Sequence, residues 1–173
     1  IRAVGPGVWN DWKAQLLRDL YKLTEATLRG GRGDEAFLRS ILASQAEEAK
    51  NAVAKDARTA QWFANLDNAY WLGFDEGQHV WHQEEIKKSL DADSNVWIAS
   101  RFAPNRGATE ILVKAPDRHG LFSSIAGVFA AHNANVLDAR IFTSSLGQAF
   151  DVFAIQGPNG EAYGAHEPRL IRI

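Results

Sequence analysis

Residues 109–143 read TEILVKAPDRHGLFSSIAGVFAAHNANVLDARIFT, and residues 150–155 continue as FDVFAI. Ile111 and Val113 alternate with Glu110, Leu112 and Lys114, the period-2 pattern of a strand with one better-buried side. Pro116 ends that strand, Asp117 is expected to cap the helix that follows, and Gly120 permits a tight turn and a close approach of backbone to a ligand. Leu121, Ile125, Val128 and Phe129 recur at helical spacing and predict a helix with one apolar stripe on a sheet. Asn133, Ala134 and Asn135 break that helix, since Asn tolerates left-handed backbone. Val136 to Phe142 is rich in β-formers, Ser144 to Gly147 supplies a hairpin turn, and Phe150 to Ile155 is the next strand. The order β-α-β-β gives the first four elements of a ferredoxin-like βαββαβ unit. A further helix would begin near Glu167 or Arg169. With the sequence ending at Ile173, the unit is expected to lack its last strand.

Upstream, the chain reads as mostly helical, so the expected class is α+β. Gly5-Pro6-Gly7 is a turn, and Asn10 or Asp11 suits the cap of a helix from Trp12 to about Leu28. Trp12, Leu16, Leu20 and Leu23 form its stripe, widened by Leu17, Tyr21 and Leu28, so this helix is expected to pack on something sizeable. Gly30 to Gly33 is a break. A second helix is predicted from about Asp34 to Arg58, with Phe37, Leu38, Ile41, Leu42, Gln45 and Val53 on one face. Gly73 to Gly77 interrupts the pattern, His79 to Leu90 reads as a shorter helix, and Val96 to Ser100 is extended. A domain boundary is expected near Pro104 to Gly107.

Composition narrows the function classes. The 173 residues carry a net charge of −2 and ordinary apolar and charged fractions, as in globular chains with one or two domains. Residues 1–33 carry six basic and three acidic groups, residues 34–106 eight and twelve, and residues 107–173 five and six. Only the first stretch is basic, and mildly so, which leaves no footprint for nucleic acid. The absence of cysteine removes thiol and disulfide chemistry and fits a reducing cytoplasm. No apolar run has membrane length and no signal peptide opens the sequence. The opening Ile1-Arg2-Ala3, without an initiator methionine, reads as a piece of a longer protein.

The Thr109 to Ile155 block resembles an ACT domain, a small amino-acid-sensing module. Residues 5–21, Gly-Pro-Gly-Val-Trp-Asn-Asp-Trp-Lys-Ala-Gln-Leu-Leu-Arg-Asp-Leu-Tyr, are similar to the end of the HD-type hydrolase domain of the bifunctional uridylyltransferase and uridylyl-removing enzymes of bacterial nitrogen control. Tyr70-Trp71, the helix with His79 and His82, and the ACT-like block follow in that family's order. The resemblance implies three parts. Residues 1–29 would be the terminal helix of an HD-type domain, 34–103 a mainly helical connector, and 107–173 an incomplete ACT domain. It also implies a cytoplasmic parent enzyme that attaches UMP from UTP to the PII signalling protein and removes it again. Divalent metal (Mg) would serve the parent, and L-glutamine would act as effector. Partners would be PII and other ACT modules, with neither nucleic acid nor membrane. The runner-up is the ACT regulatory or dimerisation module of another HD/ACT enzyme, such as a guanosine tetraphosphate synthetase/hydrolase. The Trp9 to Lys13 segment and the connector argue against it.

No catalytic motif is expected within the segment. A nucleotidyltransferase needs a Gly-Ser motif before its metal-holding carboxylate pair. Asp91-Ala92-Asp93 has the pair's spacing but no such partner, and reads as a solvated cap or turn. The hydrolase needs a His-Asp dipeptide, which does not occur, so both centres are expected before Ile1. His79 and His82, three apart beside Glu84 and Glu85, lack the zincin spacing and read as a helix face that packs its Trp and solvates its acids. For the effector, free N–H groups at a helix start suit a carboxylate, which makes Asp117, Arg118, His119, Gly120 and Leu121 one candidate wall. By family analogy Asn135, Val136 and Leu137 form the other.

Overall fold

The computed structural model describes residues 17, 18, 20, 21, 24, 25, 28, 35–53 and 56–164. Four helices lead into a sheet: α1 (Glu35–Val53), α2 (Ala57–Phe63), α3 (Asn68–Gly73) and α4 (Glu76–Asp91). Strand β1 (Trp97–Ala103), a 3-10 turn (Pro104–Arg106), β2 (Ala108–Pro116), α5 (Leu121–Ala131), β3 (Asn135–Thr143) and β4 (Gln148–Gln156) complete an α+β fold. The cap at Asn10 or Asp11, the Gly30 to Gly33 break and the helix near Glu167 lie outside the described residues. The described positions between 17 and 28 are helical, and Leu17, Leu20, Tyr21 and Leu28 are exposed.

The single helix expected over Asp34 to Arg58 is two. Asp56 stands in extended backbone and its carboxylate accepts the Thr59 N–H, so it starts α2 rather than continuing α1. Asp67 and Asp75 cap α3 and α4 in the same way, and Asp75 with Gln78 makes a reciprocal capping box. The starts of these three helices are thereby set by three aspartates that local periodicity alone does not weigh.

The sheet order is β1-β2-β4-β3, antiparallel throughout. Residues 97–103 pair with 108–114 along β2, the position that the last strand of a βαββαβ unit takes. The sheet therefore has four strands, with the edge supplied from the N-terminal side. It also runs through Pro104 to Gly107, where a boundary was expected: the turn there is a hairpin connection, closed by Gly107 at φ 57°.

Both faces of the sheet are covered. Leu112, Phe150 and Val152 join Phe63, Tyr70, Trp71 and Ile86 in a core between the sheet and the helical layer. Ile111, Val113, Phe153 and Ile155 join Phe129 and Tyr163 beneath α5. Strand β2 is buried at every position from Ala108 to Ala115, so the expected difference between its two faces is absent. On α5, Leu121, Ile125 and Phe129 pack as expected, but Val128 points outward at 40% exposure. Pro116 closes β2, and Asn133 ends the α5 region with left-handed backbone at φ 56°.

Polar groups bind the helical layer to the sheet. Glu110, 1% exposed, accepts from Gln78 Nε2 at 2.6 Å and Arg101 Nε at 2.7 Å, with Arg106 at 3.4 Å. Lys114 Nζ donates to Ser89 Oγ at 2.9 Å and the Ser94 carbonyl at 2.8 Å. Trp62 Nε1 donates to Gln148 Oε1 at 3.1 Å, and Asn65 receives both the Ser145 N–H and its hydroxyl. Burying Glu110 and Lys114 is tolerable because such partners meet them.

Candidate ligand-binding site

The β2–α5 turn projects from one end of the sheet. Residues 117–120 are exposed and Leu121 is half-buried. The Asp117 N–H donates to the Gly147 carbonyl at 2.9 Å, which holds the turn against the β3–β4 hairpin. Its carboxylate does not cap α5 as expected: it accepts the Thr143 hydroxyl at 3.1 Å. The N-cap is Gly120 at φ 77°, and no side chain caps the first turn of α5. The Leu121 N–H donates to the Arg118 carbonyl at 3.1 Å, and the next N–H groups of the first turn have no side-chain cap, while the helix dipole favours a negative charge there.

The two candidate walls lie apart. Pro116 pairs with Gln148 at one end of β4, whereas Asn135 pairs with Gln156 at the other. Eight residue steps at about 3.3 Å put them about 26 Å apart along the strand. Asn135 and Val136 are exposed, Leu137 is half-buried at a bulge, and Asn135 Nδ2 makes a long contact of 3.4 Å with the Gly157 carbonyl. One copy of this module does not bring Asp117 to Leu121 and Asn135 to Leu137 onto one small ligand.

One acidic residue beside the turn escaped the sequence reading. Asp151, 1% exposed, sits on the α5 face of β4 between Val113 and Ile141. Its Oδ1 has no hydrogen-bond partner. Burial raises its carboxyl to about 6, opposed by a hydrogen bond from the Phe142 backbone and reinforced by the charge of Asp117. The available signal was an aspartate inside the otherwise apolar run Phe150 to Ile155.

The other chemically suggestive groups are structural. His79 and His82 are buried among Tyr70, Trp71, Phe74 and Phe150, and Tyr70 Oη lies 3.1 Å from His82 Nδ1. Burial lowers His82 well below its ordinary value, with His79 and nearby arginines adding to it, so its ring is neutral at pH 7. Glu84 is solvated, but Glu85 is buried and accepts from Lys88 and Trp97 Nε1. Asp91 closes α4 in an ion pair with Arg58, and Asp93 is an exposed left-handed turn residue. No group of three His, Asp or Glu side chains with metal-binding geometry occurs among the described residues. None of the described helices is long and apolar enough to cross a membrane.

Comparison with known proteins matches part of the chain to a family module. Residues 109–162 match the ACT domain model. The chain is 40% identical over 175 residues to a bifunctional uridylyltransferase/uridylyl-removing enzyme of Caulobacter vibrioides, covering 99% of the chain and 18% of that protein. Proteins of the same name from Rhodospirillum rubrum and Azospirillum brasilense are also 40% identical, over 100% and 92% of the chain and 18% and 17% of their own lengths. The chain thus spans less than a fifth of the curated relatives it matches. No solved structure gives a significant match.

Proposed function

From a chain homologous along nearly its whole length to a segment of the bifunctional uridylyltransferase/uridylyl-removing enzymes, and containing an ACT domain, we infer the regulatory segment of such an enzyme. In this reading L-glutamine binds at the ACT module and biases uridylylation against uridylyl removal on the PII protein. The active sites, their UTP and their Mg ions belong to parts of a cytoplasmic parent outside residues 1–173. Residues 1–29 are the end of the hydrolase domain, and residues 34–103 relay between it and the module.

The observation that carries the reading is the joining of sensor to relay. The back of the ACT sheet is fused to α2, α3 and α4 by one apolar core and by the Glu110, Lys114 and Trp62 contacts. Its front offers an uncapped helix start and an edge strand, β3, with Val136 and Ile141 exposed. A ligand that favours one packing of that front over another therefore moves the helical layer as well, which is what coupling requires. A second ACT module against β3 would bring its own copy of one wall to the other, since one module holds them about 26 Å apart by strand rise.

Calorimetric titration of L-glutamine, L-glutamate and glycine into the chain tests the reading. Selective saturable binding of glutamine is the expected result. Binding of none of them by this chain, or by the chain joined to a further ACT module, refutes the sensor assignment.

A further inference from the structure

We propose that the β3–β4 hairpin, residues 143–148, is a clasp that couples the β2–α5 turn on one side of the sheet to the junction of α2 and α3 on the other, so that ordering of the turn is felt at Asn65, and the reverse. Its use in regulation rests on the effector reading above, whereas the link itself belongs to the chain with or without a ligand.

The hairpin is held from both sides. On the side of α5, the Asp117 N–H donates to the Gly147 carbonyl at 2.9 Å, and the Asp117 carboxylate accepts the Thr143 hydroxyl at 3.1 Å. On the helical side, Ser145 donates its N–H to the Asn65 carbonyl at 3.0 Å and its hydroxyl to Asn65 Oδ1 at 2.8 Å. Gln148 faces both ways: its backbone lies opposite Pro116, the residue before Asp117, and its Oε1 accepts from Trp62 Nε1 at 3.1 Å. Of the hydrogen bonds that residues 117–120 make among the described residues, those that leave the turn and α5 end on Thr143 and Gly147.

Between those two sets of bonds the hairpin is braced internally. The Ser144 N–H donates to the Gln148 carbonyl at 2.8 Å, the Ser144 carbonyl accepts the Gly147 N–H at 2.9 Å, and the buried Ser144 hydroxyl accepts the Gln148 N–H at 3.2 Å. Gly147 closes the bend with left-handed backbone at φ 71°. A loop this short and this crosslinked has little internal freedom to absorb a displacement, so a shift at Thr143 and Gly147 passes to Ser145 and Gln148. Asn65 is placed to receive it. Its Nδ2 donates to the Gln61 carbonyl at 2.9 Å and the Trp62 carbonyl at 3.3 Å, which ties it to the last turn of α2, and Asp67, two residues on, caps α3. Coupling of this kind is reciprocal: what loosens the hairpin from Asn65 loosens the turn as well.

Amide hydrogen exchange of the chain, read residue by residue by NMR, tests the clasp on Thr143→Val and Ser145→Ala, both at exposed positions where the fold tolerates the change. Thr143→Val removes the hydroxyl bond to Asp117 and leaves every bond to Asn65 in place. It should speed exchange at Ala64, Asn65 and Leu66, whose N–H groups are bonded within the α2–α3 junction, by about two- to fivefold, the range set by the net contribution of one hydrogen bond. Ser145→Ala removes the hydroxyl bond to Asn65 and should speed exchange at Asp117 by a similar factor. The amides at the centres of β2 and β4 should keep their wild-type rates in both variants, which separates a clasp from general loss of stability. Unchanged exchange at residues 64–66 in Thr143→Val, or at Asp117 in Ser145→Ala, overturns the clasp, and so does a uniform acceleration that includes the strand centres. With L-glutamine bound, the wild type should gain protection at both Asp117 and residues 64–66, and Ser145→Ala should keep the first while losing part of the second; full protection of residues 64–66 in that variant also overturns it. Failure of glutamine, glutamate and glycine to bind, alongside the expected exchange in the unliganded variants, refutes the sensor reading and supports the clasp.

Discussion

Replacing Glu110 with Gln probes whether the helical layer and the ACT sheet are one folding unit. The carboxylate is 1% exposed and meets Gln78, Arg101 and Arg106 at once. The amide keeps the shape but loses the charge, and turns an N–H₂ toward donors. Arg101 and Arg106, 29% and 17% exposed, then lose their shared counter-ion. Removing one partner of a buried ion pair costs about 3–5 kcal/mol, and the partial exposure of both guanidinium groups puts this case near about 3 kcal/mol. For a unit of roughly a hundred residues that lowers the melting temperature by about 10–20 °C. Urea unfolding followed by tryptophan fluorescence reports Trp62, Trp71, Trp81 and Trp97 in the helical layer and its interface, while far-UV circular dichroism reports the whole. Both probes should give one coincident transition, shifted equally by the substitution. A loss below about 1 kcal/mol, or a fluorescence transition that moves while the sheet unfolds unchanged, would refute the single unit.

Further expectations concern pH and backbone. Taking the Asp151 carboxyl from 3.8 to about 6 corresponds to about 3 kcal/mol. Between those values the native state holds a proton that the unfolded chain has released, so this group adds stability as pH falls through 6. Asp151→Asn should therefore be more stable than wild type by up to about 3 kcal/mol at pH 7, an advantage that fades toward pH 4; parallel urea midpoints across that range would count against the assignment. His82 acts in the opposite sense: its value is lowered by burial, so below 6.5 the unfolded chain takes up a proton that the native state refuses. Stability should fall by at most about 1.4 kcal/mol per pH unit for that site, and His82→Gln should flatten the slope between pH 7.5 and 5.5; an unchanged slope would exclude it as the source. Gly120→Ala should cost about 1 kcal/mol, because φ 77° strains an L-residue although its Cβ meets no neighbour. The same variant should weaken effector binding by distorting the turn, and unaltered calorimetric affinity would remove the turn from the site.

Much of the ACT fold was legible because its signals are local. Alternation over Ile111 to Val113, the stop at Pro116, the glycine and asparagine turns, and the helical spacing of Leu121, Ile125 and Phe129 act within a few residues of themselves. The ends of α1 and α2 were less legible, since a capping aspartate competes with a periodicity that would run past it. Of the candidate site only the local structure was legible: the turn and Gly120 lie where the pattern placed them, while the cap assigned to Asp117 went instead to a bond with Thr143, 26 residues on.

What the sequence alone determined is therefore the strand, turn and helix order from Thr109 to Ile155 and its kinship with ACT modules. Only the tertiary structure decided that residues 97–103 complete the sheet, that both faces of β2 are buried, and that Asp151 is left without a counter-charge beside an uncapped helix. The reason is range. Periodicity records which way each side chain points, but what covers it depends on segments tens of residues away, and burial and charge compensation exist only once those segments have docked.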